Sequence, residues 1–207
     1  MGSPAPVRTQ DVNDPKFKAT SDQLSEKRAS IERALRELLV ACELDLEHKD
    51  LRNTPTRVAN TWLREFLSGF AMDPADILGN PVKGEGATEL VIVRGIPYHG
   101  LCPHHLLPYT GVATVAYLPS DKLLGFGRLS DLVRCFTRRL TLQERAGSDI
   151  ADALMEHLGA RGAGCLMRGH HTCLSIPENK HATEVETCTL RGELQTRPDL
   201  RSQFFAG

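Results

Sequence analysis

Ile31, Leu35, Leu38, Leu39 and Cys42 recur at helical spacing among charged neighbours, which predicts an amphipathic helix over residues 22–48. A second helix is predicted in "NTPTRVANTWLREFLSGF". There Thr54 reads as the cap and Pro55 takes an early position; Val58, Trp62 and Phe66 share a face, and Gly69 ends the helix. After a loop, "GNPVKGEG", the texture changes to the β-branched alternation of strands in "ELVIVRGIPY" and "GVATVAYLP". "RLSDLVRCFTRR" and "TLQERAGSDIADALMEHLG" read as two helices, "GCLMRGHHTCLSI" and "EVETCTLRGEL" as two strands, and "RPDLRSQFF" as a short terminal helix.

Paired helices alternating with paired strands favour an α+β fold with a mostly antiparallel sheet of four strands. Its open edges invite pairing with another subunit. The expected organisation is a disordered segment over residues 1–21, a helical region over 22–80 and a sheet-containing domain over 81–207. Neither an internal repeat nor a low-complexity tract is visible.

The 207 residues are 41% hydrophobic and 25% charged with a net charge of -1, which gives no support for nucleic acid or a membrane surface as the main partner. No stretch approaches the roughly 20 apolar residues of a membrane span, and the polar first residues lack the apolar core of a signal peptide. The six cysteines then point to reduced thiols and a cytoplasmic protein. Cys42, Cys135, Cys165 and Cys188 read as small core residues. Cys102 and Cys173 differ, because each has histidine beside it.

In "CPHH", Cys102 and His105 are spaced so that one turn of chain presents sulfur and nitrogen to one ion. "GHHTC" adds His170, His171 and Cys173. If that segment is a strand, His171 and Cys173 share a face. Two thiolates and an imidazole suit Zn2+, and three protein ligands with one open position form a catalytic site. Cys102, His105 and Cys173 are the expected metal ligands, with His104 and His171 left as acid/base groups and His170 facing outward. A zinc ion lowers the pKa of its bound water to about 7, which suits hydrolysis of a carbon–nitrogen bond. The same residues also allow a closed structural zinc site using four of the five, or coincidental surface histidines.

With "LRNTPTRVANTW", "CPHHLLPYTGVATVAYLP", "LLGFGRLSDLVRCFTRRLTLQER" and "HHTC" in collinear order, the sequence from about residue 25 onward resembles the GTP cyclohydrolase I family. The resemblance implies the tunnelling fold (T-fold), an antiparallel four-stranded sheet with helices on one face and an N-terminal helical extension. Subunits of such proteins pair their sheets into rings, usually decamers, with active sites at subunit interfaces. It also implies Cys102, His105 and Cys173 as zinc ligands, His104 and His171 as catalytic, and Glu144 as the residue that reads guanine, with Gln143 beside it. A carboxylate can accept hydrogen bonds from the guanine N1–H and exocyclic amine. Without the resemblance, "QER" is a solvated helix start.

The family grips a triphosphate with cations and hydroxyls, and here the sequence departs from its pattern. Arg57 is kept, but the lysine three residues on is Asn60; the serine-lysine pair is Gly127-Arg128; the arginine after it is Asp131; and the arginine beyond the second cysteine is Pro177, followed by Glu178. A triphosphate carries about four negative charges, and each charge-assisted contact contributes on the order of 1.5–3 kcal/mol. The losses predict a guanine-type substrate without the triphosphate, with Asp131 binding sugar hydroxyls or an amine, or else standing as an exposed helix residue. Conventional GTP turnover would need a phosphate site rebuilt from Arg57, Arg128, Arg138, Arg139 or Lys180. The third alternative is a non-catalytic zinc-containing ring protein that binds a ligand.

Overall fold

The computed structural model describes residues 21–84, 86, 88–176 and 183–206. The expected disordered segment, apart from Ser21, and Pro177, Glu178 and Lys180 lie outside the described residues. The chain runs α1 (Ser21–Ala41), α2 (Thr54–Thr61), α3 (Pro74–Leu78), β1 (Val82–Lys83), β2 (Val91–Leu101), β3 (Pro108–Leu118), β4 (Lys122–Leu123), α4 (Phe126–Thr137) and α5 (Gln143–Ala153). It continues through β5 (Gly162–His171), α6 (Thr172–Ser175), β6 (Glu184–Gly192), α7 (Glu193–Thr196) and α8 (Pro198–Phe205). Strands β2, β3, β5 and β6 form one antiparallel sheet in that order, the α+β architecture of the tunnelling fold.

Side-chain alternation divides the sheet into two faces. Val115, Tyr117, Cys165 and Met167 pack beneath α4 and α5 with Leu132, Val133 and Ile150. Ala116, Leu118 and Leu166 point the other way and are covered at one end by Leu194, Leu200 and Phe204 of α7 and α8. Helices α4 and α5 therefore occupy one face, and the C-terminal turns cap part of the second. Arg94 fastens that cap, donating to the Gln203, Phe204 and Ala206 carbonyls at 3.0–3.2 Å where α8 has run out of its own donors.

Between Val93 and Ile96 the β2–β3 register shifts, with Gly95 at φ +70°. The extra residue exchanges the two faces of the strand. Val91 and Val93 face the helices before it, and Ile96 and Tyr98 face them after it. The bulge thus determines which β2 side chains reach the site.

Several expectations are corrected. The first helix stops at Ala41 rather than residue 48 and has no buried residue; Leu38 and Val40 stay exposed, because α1 packs mainly against α2. Thr54 does not cap α2: Asn53 holds the cap position, and the Thr54 hydroxyl donates to the Asp50 carbonyl. The helix gives way to a wide turn over Trp62–Phe66 and a tight one over Ser68–Ala71. Gly69 serves close approach rather than termination, since a Cβ there would meet the Arg138 carbonyl oxygen at 2.8 Å and that of Cys135 closer still. Within "GNPVKGEG", Val82 and Lys83 pair with Leu123 and Lys122. Cys135 and Cys165 are buried, but Cys42 and Cys188 are exposed.

Candidate active site

The β2–β3 connection is a tight loop closed by two backbone bonds, Cys102 N–H to the Leu107 carbonyl and Leu106 N–H to the Cys102 carbonyl, both 2.9 Å. Leu106 takes a left-handed conformation, φ +53°, to close it. A non-glycine residue held there costs on the order of 1 kcal/mol, which the loop bonds offset. The loop brings Cys102 Sγ within 3.8 Å of His105 Nδ1.

The third thiol arrives differently from the sequence expectation. Strand β5 ends at His171, and Cys173 lies on the helical turn α6 rather than in a strand. Two-residue alternation is therefore not what aligns it with His171. The turn is fixed by Thr172, whose hydroxyl donates to the Pro108 carbonyl at 2.6 Å, beside the loop carrying Cys102 and His105. The donor atoms of Cys102, His105 and Cys173 then all lie within 4.8 Å of one another. Ligands of one tetrahedral zinc at bond lengths of about 2.0–2.3 Å stand roughly 3.3–3.8 Å apart, so this soft donor set fits zinc after small side-chain motions.

His171 lies directly across the β3–β5 ladder from Tyr109, and the rings stack at 4.7 Å and 13°. Tyr109 is anchored by its hydroxyl to the Thr141 carbonyl at 3.0 Å, and Gly100 leaves room for its ring. Burial lowers the His171 pKa below the usual histidine value, and the nearby Glu144 carboxylate partly opposes that. Glu144 is exposed in the first turn of α5, close enough to act electrostatically on both His171 and Tyr109. His104 is exposed on the loop, edge-to-face with His105 at 6.2 Å. His170 faces outward, 3.9 Å from Glu184.

Gln143 requires a correction. Its side chain is fully buried, and both ends of its amide are taken by protein groups. It contacts His171 and has no hydrogen-bonding capacity left for a substrate. The expected phosphate-side residues do not join the cluster. Arg57 is exposed on α2 and Arg128 on α4, and among the described residues neither has an ion pair. Asp131 binds Arg134 of its own helix at 2.9 Å. Arg139 is buried against Phe70 and Phe136 and donates to the Gly69 and Cys135 carbonyls, which removes it from any phosphate site.

Tyr98 and Tyr109 were not singled out in the sequence, where aromatic residues in apolar strands read as core. The available signal was Gly100, Gly111 and Gly169 inside strands, because strand glycines mark places where another group approaches closely.

Residues 31–207 match the family model for GTP cyclohydrolase I. The chain belongs to the GTP cyclohydrolase I family. Curated relatives named GTP cyclohydrolase 1 include one from Ralstonia nicotianae, 38% identical over 199 residues, which are 94% of this chain and 95% of that protein. Those from Chromobacterium violaceum and Janthinobacterium are 39% and 40% identical, with 85% and 82% of this chain and 85% and 86% of the relatives covered. Among solved structures, the apo form of an archaeosine synthase, QueF-Like, aligns with a TM-score of 0.40 and 16% identity, over 51% of this chain and 94% of that one. Among the described residues of this cyclohydrolase-family chain, no helix is long and apolar enough to cross a membrane.

Proposed function

We propose that this chain is a cytoplasmic zinc hydrolase that opens the imidazole ring of a guanine-type purine at C8, on a substrate lacking the triphosphate. The observation that carries this reading is the convergence of the Cys102, His105 and Cys173 donor atoms, with a half-buried His171 stacked on Tyr109 and influenced by the Glu144 carboxylate. A zinc ion held by those three side chains supplies Lewis acidity and a water acidic enough to react at neutral pH.

The remaining work falls to the chain's own residues. Glu144 accepts from the guanine N1–H and exocyclic amine and orients the base. Water adds to C8 and a C8–N bond of the five-membered ring breaks; the water oxygen becomes the formyl oxygen, one of its protons ends on the released nitrogen and the other on the nitrogen that keeps the formyl group, leaving a formamide. His171 carries that proton to the ring nitrogen, and the exposed His104 assists exchange with solvent.

The reading of the substrate is supported by how the chain's arginines are used. Arg134 is paired with Asp131, Arg138 is paired with Glu65 at 3.3 Å, and Arg139 is buried. Among the described residues, Arg57 and Arg128 are the expected phosphate-side cations that remain for an anion, too few for about four charges at 1.5–3 kcal/mol per contact. The names of the bacterial relatives favour a second reading, conventional conversion of GTP to dihydroneopterin triphosphate. Zinc-loaded protein incubated with GTP, guanosine and guanine, followed by absorbance and mass, separates the two. Ring opening of the compounds without triphosphate is expected, and rapid neopterin triphosphate formation from GTP would overturn that part. Failure to turn over any purine, unaltered by His171→Ala, would instead indicate a zinc-containing binding protein. Active sites at the interfaces of a homo-oligomer, usually a decamer in this family, complete the proposal.

A further inference from the structure

Tyr98, Gln143 and His171 form one hydrogen-bonded line whose polarity is fixed at one end. The amide nitrogen of Gln143 faces the Met167 carbonyl at 3.2 Å, the Val185 carbonyl at 3.1 Å and the Thr187 hydroxyl at 3.1 Å. Carbonyl oxygens only accept, so the NH2 group must lie on that side and Oε1 on the other. Oε1 faces the Tyr98 hydroxyl at 2.8 Å and His171 Nε2 at 3.0 Å. An amide oxygen also only accepts, so both of these groups must donate. His171 therefore carries a proton on Nε2, and the nitrogen left to exchange protons is Nδ1.

The sheet is built to make this line possible. Tyr98, Gly111, Gly169 and Val185 are successive partners across β2, β3, β5 and β6. A Cβ on Gly111 would stand 2.7 Å from the Tyr98 hydroxyl, and one on Gly169 closer still and 2.7 Å from Gln143 Oε1. Glycine on two adjacent strands thus opens a notch in which the tyrosine lies across the sheet and reaches the helix. The β2 bulge turns Tyr98 to this face, and the residue is 5% exposed. Tyr98 is buried enough to keep its hydroxyl neutral, hence a donor.

We infer that Gln143 and Tyr98 are positioning residues: the Gln143 amide holds His171 as the Nε2–H tautomer, Tyr98 fixes the amide oxygen, and protons pass to and from the substrate through His171 Nδ1. The catalytic half of this statement rests on the ring-opening reading; the tautomer does not.

The test is solid-state NMR of full-length, zinc-loaded protein carrying 15N-histidine, at mildly alkaline pH, with His171 assigned by comparison with His171→Asn. The expected spectrum has a protonated Nε2 and a bare Nδ1 for His171. Tyr98→Phe keeps the ring in its notch and should move the Nε2 resonance, because the shared oxygen loses one of two donors. Its kcat on GTP or guanosine should fall roughly 2- to 10-fold, the loss of one neutral hydrogen bond, with KM unchanged. Gln143→Leu should remove the tautomer preference and lower kcat further. A His171 proton on Nδ1 in the unaltered protein overturns the inference. So does a Tyr98→Phe protein with unchanged Nε2 resonance and unchanged kcat, even if it melts earlier. The tautomer is read without substrate, so a protein that turns over no purine would end the ring-opening reading and still leave this inference decided by the spectrum.

Discussion

Replacing Cys173 by serine leaves Cys102 and His105, two donors on one loop closed by backbone bonds, without the partner from α6. A hydroxyl is a far poorer zinc ligand than a thiolate, and two protein ligands rarely retain an ion. Cys173→Ser is therefore expected to hold well below one zinc per chain after dialysis, measured by elemental analysis, where the unaltered protein holds one. Retention of a full equivalent would remove Cys173 from the ligand set. The four other cysteines do not compete on the same terms. Burial raises the thiol pKa of Cys135, Cys165 and Cys188, and none of the four belongs to the cluster of donor atoms.

The three donors depend on how two elements are held together. Thr172 supplies that link, because its bond to the Pro108 carbonyl ties α6 to the first residue of β3. Thr172→Val keeps the shape and deletes the donor. The expected cost is about 1 kcal/mol of stability in urea unfolding, with zinc lost at several-fold lower chelator concentration than from the unaltered protein. Equal zinc retention in the two proteins would show that the turn is held by other contacts. Strand β5 plays the complementary part, ending at His171 so that the imidazole stacks on Tyr109 while the chain turns to place the thiol elsewhere.

Across the whole molecule, β2 and β6 are the outer strands of the sheet, and α1 keeps Leu24, Leu38 and Val40 about half exposed. Unpaired strand edges and apolar helix faces are costly for a lone chain. Association is therefore expected, and the decamer proposed above would give a mass near ten times the 22.8 kDa chain in light scattering after size exclusion. A monomer at micromolar concentration would refute the interface site.

Local pattern determined a great deal. Four strands, the two helices between them, and "CPHH" with "GHHTC" as partners in one site follow from period, turn chemistry and donor type, because each of these acts over a few residues. Other features arise only when the chain closes on itself. The helical turn at Cys173 is held by Thr172 against Pro108, about sixty residues away in sequence. Burial of Arg139 needs the carbonyl of Gly69, and the exposure of Cys42 and Cys188 reflects which faces found partners. The line from Tyr98 through Gln143 to His171 joins strand, helix and strand across a notch of two glycines. Spacing along the sequence specifies which donors are on offer. Which atom of each donor is engaged is decided by long-range contacts, since hydrogen-bond direction depends on what stands opposite.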